Sequence, residues 1–190
     1  GLSNYTKLLT EKVFLKAVSN SVIYMVGTLI LLIPFPMLFA VLIDNKFMWG
    51  QNFFKSAFFL PSLTSVVVAG TIFRLMFGEM ETSLFNQVIG LFGAGPLKPL
   101  KSAGWSMAAL LIIACWRWTG VNMLYFLSGL KGIDTEYYEA ASIDGANSWQ
   151  KFLYITMPLL KPTTIYVLTI SIYAGLAMFT ESLMMFNGNN

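Results

Sequence analysis

Histidine is absent from this 190-residue chain, and cysteine occurs once, at Cys115. Without histidine the commonest general base and the commonest metal ligand are missing, and most catalytic and metal-centre readings go with them. A single cysteine inside an apolar stretch forms no disulfide within the chain and reads as a small hydrophobe. Charge is scarce as well: 11% of residues are charged, where soluble chains carry roughly 25%. A soluble fold of this length must cover its exterior with polar groups, and 12 basic and 9 acidic residues are too few. The net charge of +3 comes from dispersed lysines rather than a run, so nothing in it argues for nucleic acid. A phosphate-binding GxxxxGKS or GxxxxGKT loop is missing too, which leaves ATP hydrolysis without a motif in this chain.

What the chain does have is apolar length. Hydrophobic residues make up 56%, a composition suited to lipid as solvent. A bilayer core about 30 Å thick takes about 20 apolar residues in helical form. Four segments qualify, approximately 18–43, 57–78, 104–130 and 162–186. The first is free of charge from Ser21 to Ile43; the others carry only Arg74, Arg117 and Glu181 respectively. Each is too long for a strand and lacks strict alternation, so a β-barrel is excluded in favour of helices. The expected fold class is all-α, a polytopic bundle of about four membrane helices.

Three polar connections join them: Asp44–Ser56, Glu79–Ala103 and Lys131–Lys161. Glu81–Asn86 reads as a short surface helix ahead of the turn-rich Gly93-Ala94-Gly95-Pro96, and Asn4–Ser19 as an amphipathic lead-in. Lysine asymmetry leaves orientation undecided. Lys7, Lys12, Lys16, Lys98 and Lys101 fall on one side; Lys46, Lys55, Lys131, Lys151 and Lys161 fall on the other. Gly1 in place of a start methionine, the lack of a signal peptide and the loop-like Asn187-Gly188-Asn189-Asn190 suggest an excised part of a longer chain.

Pro34 and Pro36 interrupt the first span and Pro61 the start of the second. In lipid such breaks survive where neighbours satisfy the freed carbonyls. Gly27, Ala69, Gly70, Ala108, Ala109, Gly120 and Gly175 are small enough for close helix approach.

Residues 131–161 read KGIDTEYYEAASIDGANSWQKFLYITMPLLK. Asp134 is a good N-cap, Thr135 and Glu136 open a helix reaching about Ile143, and Gly145 suits the left-handed turn that ends it. A second helical stretch runs from Asn147 to Met157, stopped by Pro158, and Lys161-Pro162 starts the next span. Ala140 and Ala141 lack bulk, so a partner can approach the backbone, and Glu139 offers a carboxylate. This is the form of a helix that docks in another protein's groove.

The segment Glu139-Ala140-Ala141, three residues, Gly145, nine residues, then Ile155-Thr156-Met157-Pro158 resembles the EAA motif of binding-protein-dependent ABC importer permeases. Met157 stands where leucine is usual. Asp144-Gly145-Ala146 and Trp149-Gln150 look like the carbohydrate branch, the maltose and glycerol-phosphate type, as do Gly1-Leu2-Ser3-Asn4-Tyr5, Phe58-Phe59-Leu60-Pro61 and Trp116-Arg117. The resemblance implies spans two to five of a six-span permease in a bacterial-type inner membrane, its EAA loop cytoplasmic. It implies a coupling helix in which Glu136, Glu139, Ala140, Ala141, Asp144, Gly145 and Pro158 engage an ATP-binding cassette ATPase. ATP and magnesium would reside on that subunit, this chain holding no cofactor. A second permease subunit would complete the path, and an extracytoplasmic solute-binding protein would contact Glu79–Ala103. Without the motif, the same loop reads as an ordinary interfacial helix.

Charges within spans are functional candidates. At about 1.5 Å per residue of straight helix, Arg74 and Glu181 reach similar depths near the outer surface and are an expected structural ion pair. Trp116, Arg117, Asn122, Tyr173 and Glu181 are substrate-path candidates, with aromatic faces for stacking and polar groups for hydroxyls. The alternatives are an ion-coupled secondary transporter using Arg117 and Glu181 as a relay, an intramembrane enzyme, and an accessory scaffold.

Overall fold

A computed structural model describes residues 1–45, 48–93 and 95–186. Lys46 of the lysine tally, Ala94 of the expected turn and Asn187–Asn190 lie outside the described residues. The described residues form helices joined by turns, with no strand. In chain order these are α1 (Ser3–Thr10), α2 (Lys12–Leu32), α3 (Pro34–Asp44), α4 (Gln51–Phe59), α5 (Val66–Met76) and α6 (Leu84–Gly90). There follow α7 (Ala103–Lys131), α8 (Thr135–Ile143), α9 (Ser148–Lys151), α10 (Met157–Leu159), α11 (Lys161–Leu176) and α12 (Thr180–Phe186).

Two stretches are long and apolar enough to cross a membrane, Lys12–Asp44 and Ala103–Lys131. Two further bent pairs, Gln51–Leu63 with Val66–Met76 and Ser148–Leu159 with Lys161–Leu176, bring the total to as many as four. The expected boundaries shift accordingly. The lead-in from Lys12 onward is continuous with the first span, and Pro34 sits at the first turn of α3, where its missing N–H costs nothing. The expected 57–78 span is not one straight helix, because a 3-10 turn over Leu60–Leu63 follows α4 at Pro61. Nor is 162–186: Ala177, Met178 and Phe179 leave the helical path between α11 and α12. Depths counted along straight helices therefore do not hold for Arg74 and Glu181.

The chain folds as two compact units. Residues 1–29, 64–115 and 172–190 make one; residues 30–63 and 116–171 make the other. The chain passes between them four times, once within each expected span. The lead-in and the Glu79–Ala103 connection fall in the first unit, the Asp44–Ser56 and Lys131–Lys161 connections in the second.

Lipid tails are as apolar as leucine, so helix association rests on close packing and hydrogen bonds rather than on transfer from water. In the first unit Tyr24, Ala69, Phe73, Phe77, Ala109, Leu110, Ile113, Ala114 and Met185 form the core. Small residues set the approach distances. A Cβ on Gly70 would lie 2.7 Å from Met184 Cβ, so α5 and α12 touch there, and one on Gly175 would lie 3.0 Å from Met25 Cα. Ala108, also expected at a contact, is half-buried. The Glu79–Ala103 connection closes on Asn86, which is buried. Its amide donates to the carbonyls of Met80 (3.0 Å) and Leu97 (3.1 Å), and Asn86 Oδ1 accepts from Leu97 N at 2.9 Å. The short helix expected at Glu81–Asn86 starts later, because Ser83 caps it by accepting from Asn86 N at 3.4 Å.

The second unit packs Met37, Ala40, Ile43, Met123, Phe126, Leu127, Leu130, Leu160 and Val167. A Cβ on Gly120 would collide with the Phe58 carbonyl, so α7 lies directly on the α4 backbone there. Pro36 has no N–H for the Leu32 carbonyl four residues back. Buried Asn122 supplies the missing donor, its Nδ2 reaching Leu32 O at 3.0 Å.

Candidate functional site

The Lys131–Lys161 connection lies wholly in the second unit. Its helix α8 covers Thr135–Ile143 and buries none of its residues. Glu136 in the first turn places a negative charge where the helix dipole favours one. Glu136, Glu139, Ala140, Asp144 and Gly145 are exposed and Ala141 is half-buried. Asp134 occupies the N-cap position, but its side chain makes no cap hydrogen bond.

The far end is closed by backbone alone. Gly145 has φ +80°, a left-handed conformation that costs a residue with a Cβ about 1–2 kcal/mol. Its N–H donates to Ser142 O at 3.2 Å, and the Ala146 N–H donates to Ala141 O at 2.8 Å. Those two bonds are the Schellman pair that satisfies the last carbonyls of a helix. A capping box then opens α9: Asn147 Oδ1 accepts from Gln150 N at 2.9 Å and Gln150 Oε1 from Asn147 N at 2.8 Å. The Asn147-Ser148-Trp149-Gln150 spacing is a signal readable in the sequence, though it played no part in the expectation.

Pro158 does not stop the second stretch at Met157. The chain widens into a π-helix over Phe152–Thr156 and continues through α10 to Leu159. Met157 N bonds Phe152 O, five residues back. The π register displaces the carbonyls from the proline ring, which a regular α-turn would bring into collision. The chain then bends by 65° into α11. Around α8 stand exposed apolar side chains, Tyr137, Ile143 and Trp149, the last stacked on Phe152 at 5.5 Å.

The remaining candidates separate by unit. In the second, Arg117 is buried with its guanidinium carbon 5.2 Å from the Trp118 ring centroid, and Trp116 is exposed. Asn122 is engaged with the Leu32 carbonyl, a structural duty that the sequence reading did not give it. In the first, Tyr173 is exposed. Arg74, also exposed, lies one turn beyond Gly70 on α5, and the Glu181 carbonyl lies 3.8 Å from a Cβ built at Gly70. The two expected partners thus share one helix contact. In the same unit Lys101 Nζ forms a salt bridge with Glu79 at 2.9 Å. Tyr138, which no sequence signal singled out, and Thr156, named only within the EAA segment, meet in the second unit with their hydroxyl oxygens 3.0 Å apart.

Several known proteins resemble this chain. The arabinooligosaccharides transport system permease protein AraP of Bacillus subtilis is 50% identical over all of this chain and 60% of its own length. The lactose transport system permease protein LacF of Rhizobium radiobacter is 33% identical over 95% of this chain and 61% of its own length. The chain thus spans about three fifths of the relatives it matches. Among solved structures, a bacterial ABC transporter involved in import of the acidic polysaccharide alginate superposes with a TM-score of 0.88. It covers 98% of this chain and 65% of that one at 22% identity, a likeness of fold. A bacterial alginate ABC transporter in complex with an alginate pentasaccharide-bound periplasmic protein gives 0.81. Residues 8–190 match the family described as the binding-protein-dependent transport system inner membrane component, and the chain belongs to that family.

Proposed function

We propose that this chain is part of a permease subunit of an ATP-driven importer, lining with a second permease subunit the membrane path of a sugar. Spans two to five of the six-span pattern correspond to its four expected spans. The observation that carries the reading is the EAA segment. It folds as a helix none of whose residues is buried, with Glu139, Ala140 and Ala141 ahead of a glycine-terminated turn. A helix that buries nothing of its own has its surface available to a partner, and the partner proposed is an ATPase subunit, which carries ATP and magnesium.

By this reading the EAA loop faces the cytoplasm, with Glu136, Glu139, Ala140, Ala141, Asp144, Gly145 and Pro158 as the coupling set. The Glu79–Ala103 connection faces an extracytoplasmic solute-binding protein. Trp116, Arg117, Tyr173 and Glu181 are proposed along the path, and Arg74 with Glu181 as a structural pair. The 50% identity to an arabinooligosaccharide permease supports pentose oligosaccharides as the solute class.

The test is co-purification of the ATPase subunit with the full-length permease, wild type against Glu139→Lys. Reversing an exposed charge leaves folding within about 0.5 kcal/mol, so loss of the ATPase from a folded mutant supports docking through this helix. Equal retention by both would remove Glu139 from the interface.

A further inference from the structure

Four residues of α8 and the segment that follows it form a closed hydrogen-bonded circuit through side chains and two backbone carbonyls. Lys151 Nζ donates to Ser142 Oγ at 2.6 Å, and Ser142 Oγ donates to the Tyr138 carbonyl at 2.6 Å. Tyr138 is also in contact at its hydroxyl with Thr156 Oγ1, 3.0 Å away, and Thr156 Oγ1 donates to the Lys151 carbonyl at 3.4 Å. The donor directions are mutually consistent. When Thr156 gives its proton to the Lys151 carbonyl, Tyr138 donates between the two hydroxyls, and Ser142 accepts from the lysine while donating backward. The ring joins α8 at two points, Tyr138 and Ser142, to Lys151 and Thr156 on the α9–π-helix segment leading into α11.

The two connections differ in strength. Ser142 is exposed, where water competes with the lysine. Thr156 is 4% exposed, and a hydrogen bond shielded from water is stronger and costlier to break. The anchor also sits inside the π-helix, and Thr156 Oγ1 supplies a side-chain donor to the carbonyl of Lys151, the residue just before that helix. From this circuit we propose that Tyr138 and Thr156 are positioning residues, a clasp through which displacement of α8 is passed to the π-helical foot of α11. The proposal rests on the coupling reading above. Glu139 and its neighbours would hold the ATPase; Tyr138 and Thr156 would hold α8 to the membrane helix it moves.

The experiment is hydrogen–deuterium exchange on the intact importer, with and without ATP and vanadate. It compares wild type, Tyr138→Phe, Thr156→Val and the double variant, each first checked for ATPase co-purification. In wild type, residues 135–143 and 152–160 are expected to change protection together when nucleotide binds. In the single variants 135–143 still responds and the ATPase is retained, while the response of 152–160 is lost. The double variant is the discriminating one, because removing both polar partners restores stability. If the joint response returns in it, or persists in either single variant, Tyr138 and Thr156 serve packing alone and the clasp is overturned. Should Tyr138→Phe fail to fold, Thr156→Val alone decides by the same criterion. Failure of the wild type to retain the ATPase would sink the coupling reading itself, and the clasp with it, an outcome visible at the first step.

Discussion

Replacing Asn122 by alanine removes the donor that reaches the Leu32 carbonyl at 3.0 Å. That carbonyl lacks its helical donor because residue 36 is proline, and Asn122 is 4% exposed, so water does not readily substitute. Side-chain hydrogen bonds between membrane helices average about 0.6 kcal/mol and reach about 1.7, while an orphaned buried acceptor costs about 1–3 kcal/mol. The expected loss is therefore about 1–2 kcal/mol. A double-mutant cycle isolates the cause. Met37 N already bonds Ile33 O at 3.2 Å in the α-helical pattern, so an alanine at position 36 would aim its own N–H at Leu32. In a Pro36→Ala background, Asn122→Ala should lose only the small cavity cost, giving a coupling energy of about 1 kcal/mol. The assay is equilibrium unfolding of the permease in detergent across the four proteins of the cycle. Equal cost of Asn122→Ala in both backgrounds would refute the argument that asparagine repairs the proline break.

Gly120→Ala puts a Cβ onto the Phe58 carbonyl, a backbone atom with no rotamer to yield, and overpacking of this kind costs about 1–3 kcal/mol. Gly104→Ala on the same helix meets nothing within 4 Å and should gain up to about 1 kcal/mol of helix propensity; opposite shifts in unfolding midpoint check the pair. Gly145→Ala forces a Cβ into φ +80° at about 1–2 kcal/mol. Its effect is confined to the exposed loop, so faster deuterium exchange over 141–147, with the remaining exchange pattern unchanged, is the expected signature. Weakened ATPase co-purification should accompany it.

What the sequence by itself determined is what local chemistry decides. Scarce charge and long apolar runs dictate lipid as solvent, and in lipid the backbone must close its own hydrogen bonds, so helices follow. Pro34 breaks a helix wherever it stands because it lacks an N–H, and Gly145 turns left-handed because it lacks a Cβ. For that reason α8 ends where the residues said it would. The spacing of the EAA segment likewise lies within one loop and was readable without coordinates.

Tertiary structure alone decided which distant group answers each local deficit. Nothing near Pro36 in sequence announces Asn122, 90 residues from Leu32. Gly104 and Gly120 are the same residue on the same helix, yet only Gly120 meets another backbone. The departure from helix at Ala177–Phe179, the passage past Pro158 by a π-turn and the meeting of Tyr138 with Thr156 belong to the same class. Propensity states what a residue can tolerate, whereas the partner of a donor, an acceptor or a missing Cβ depends on which segments the fold brings within about 3–4 Å, a distance that local sequence does not encode.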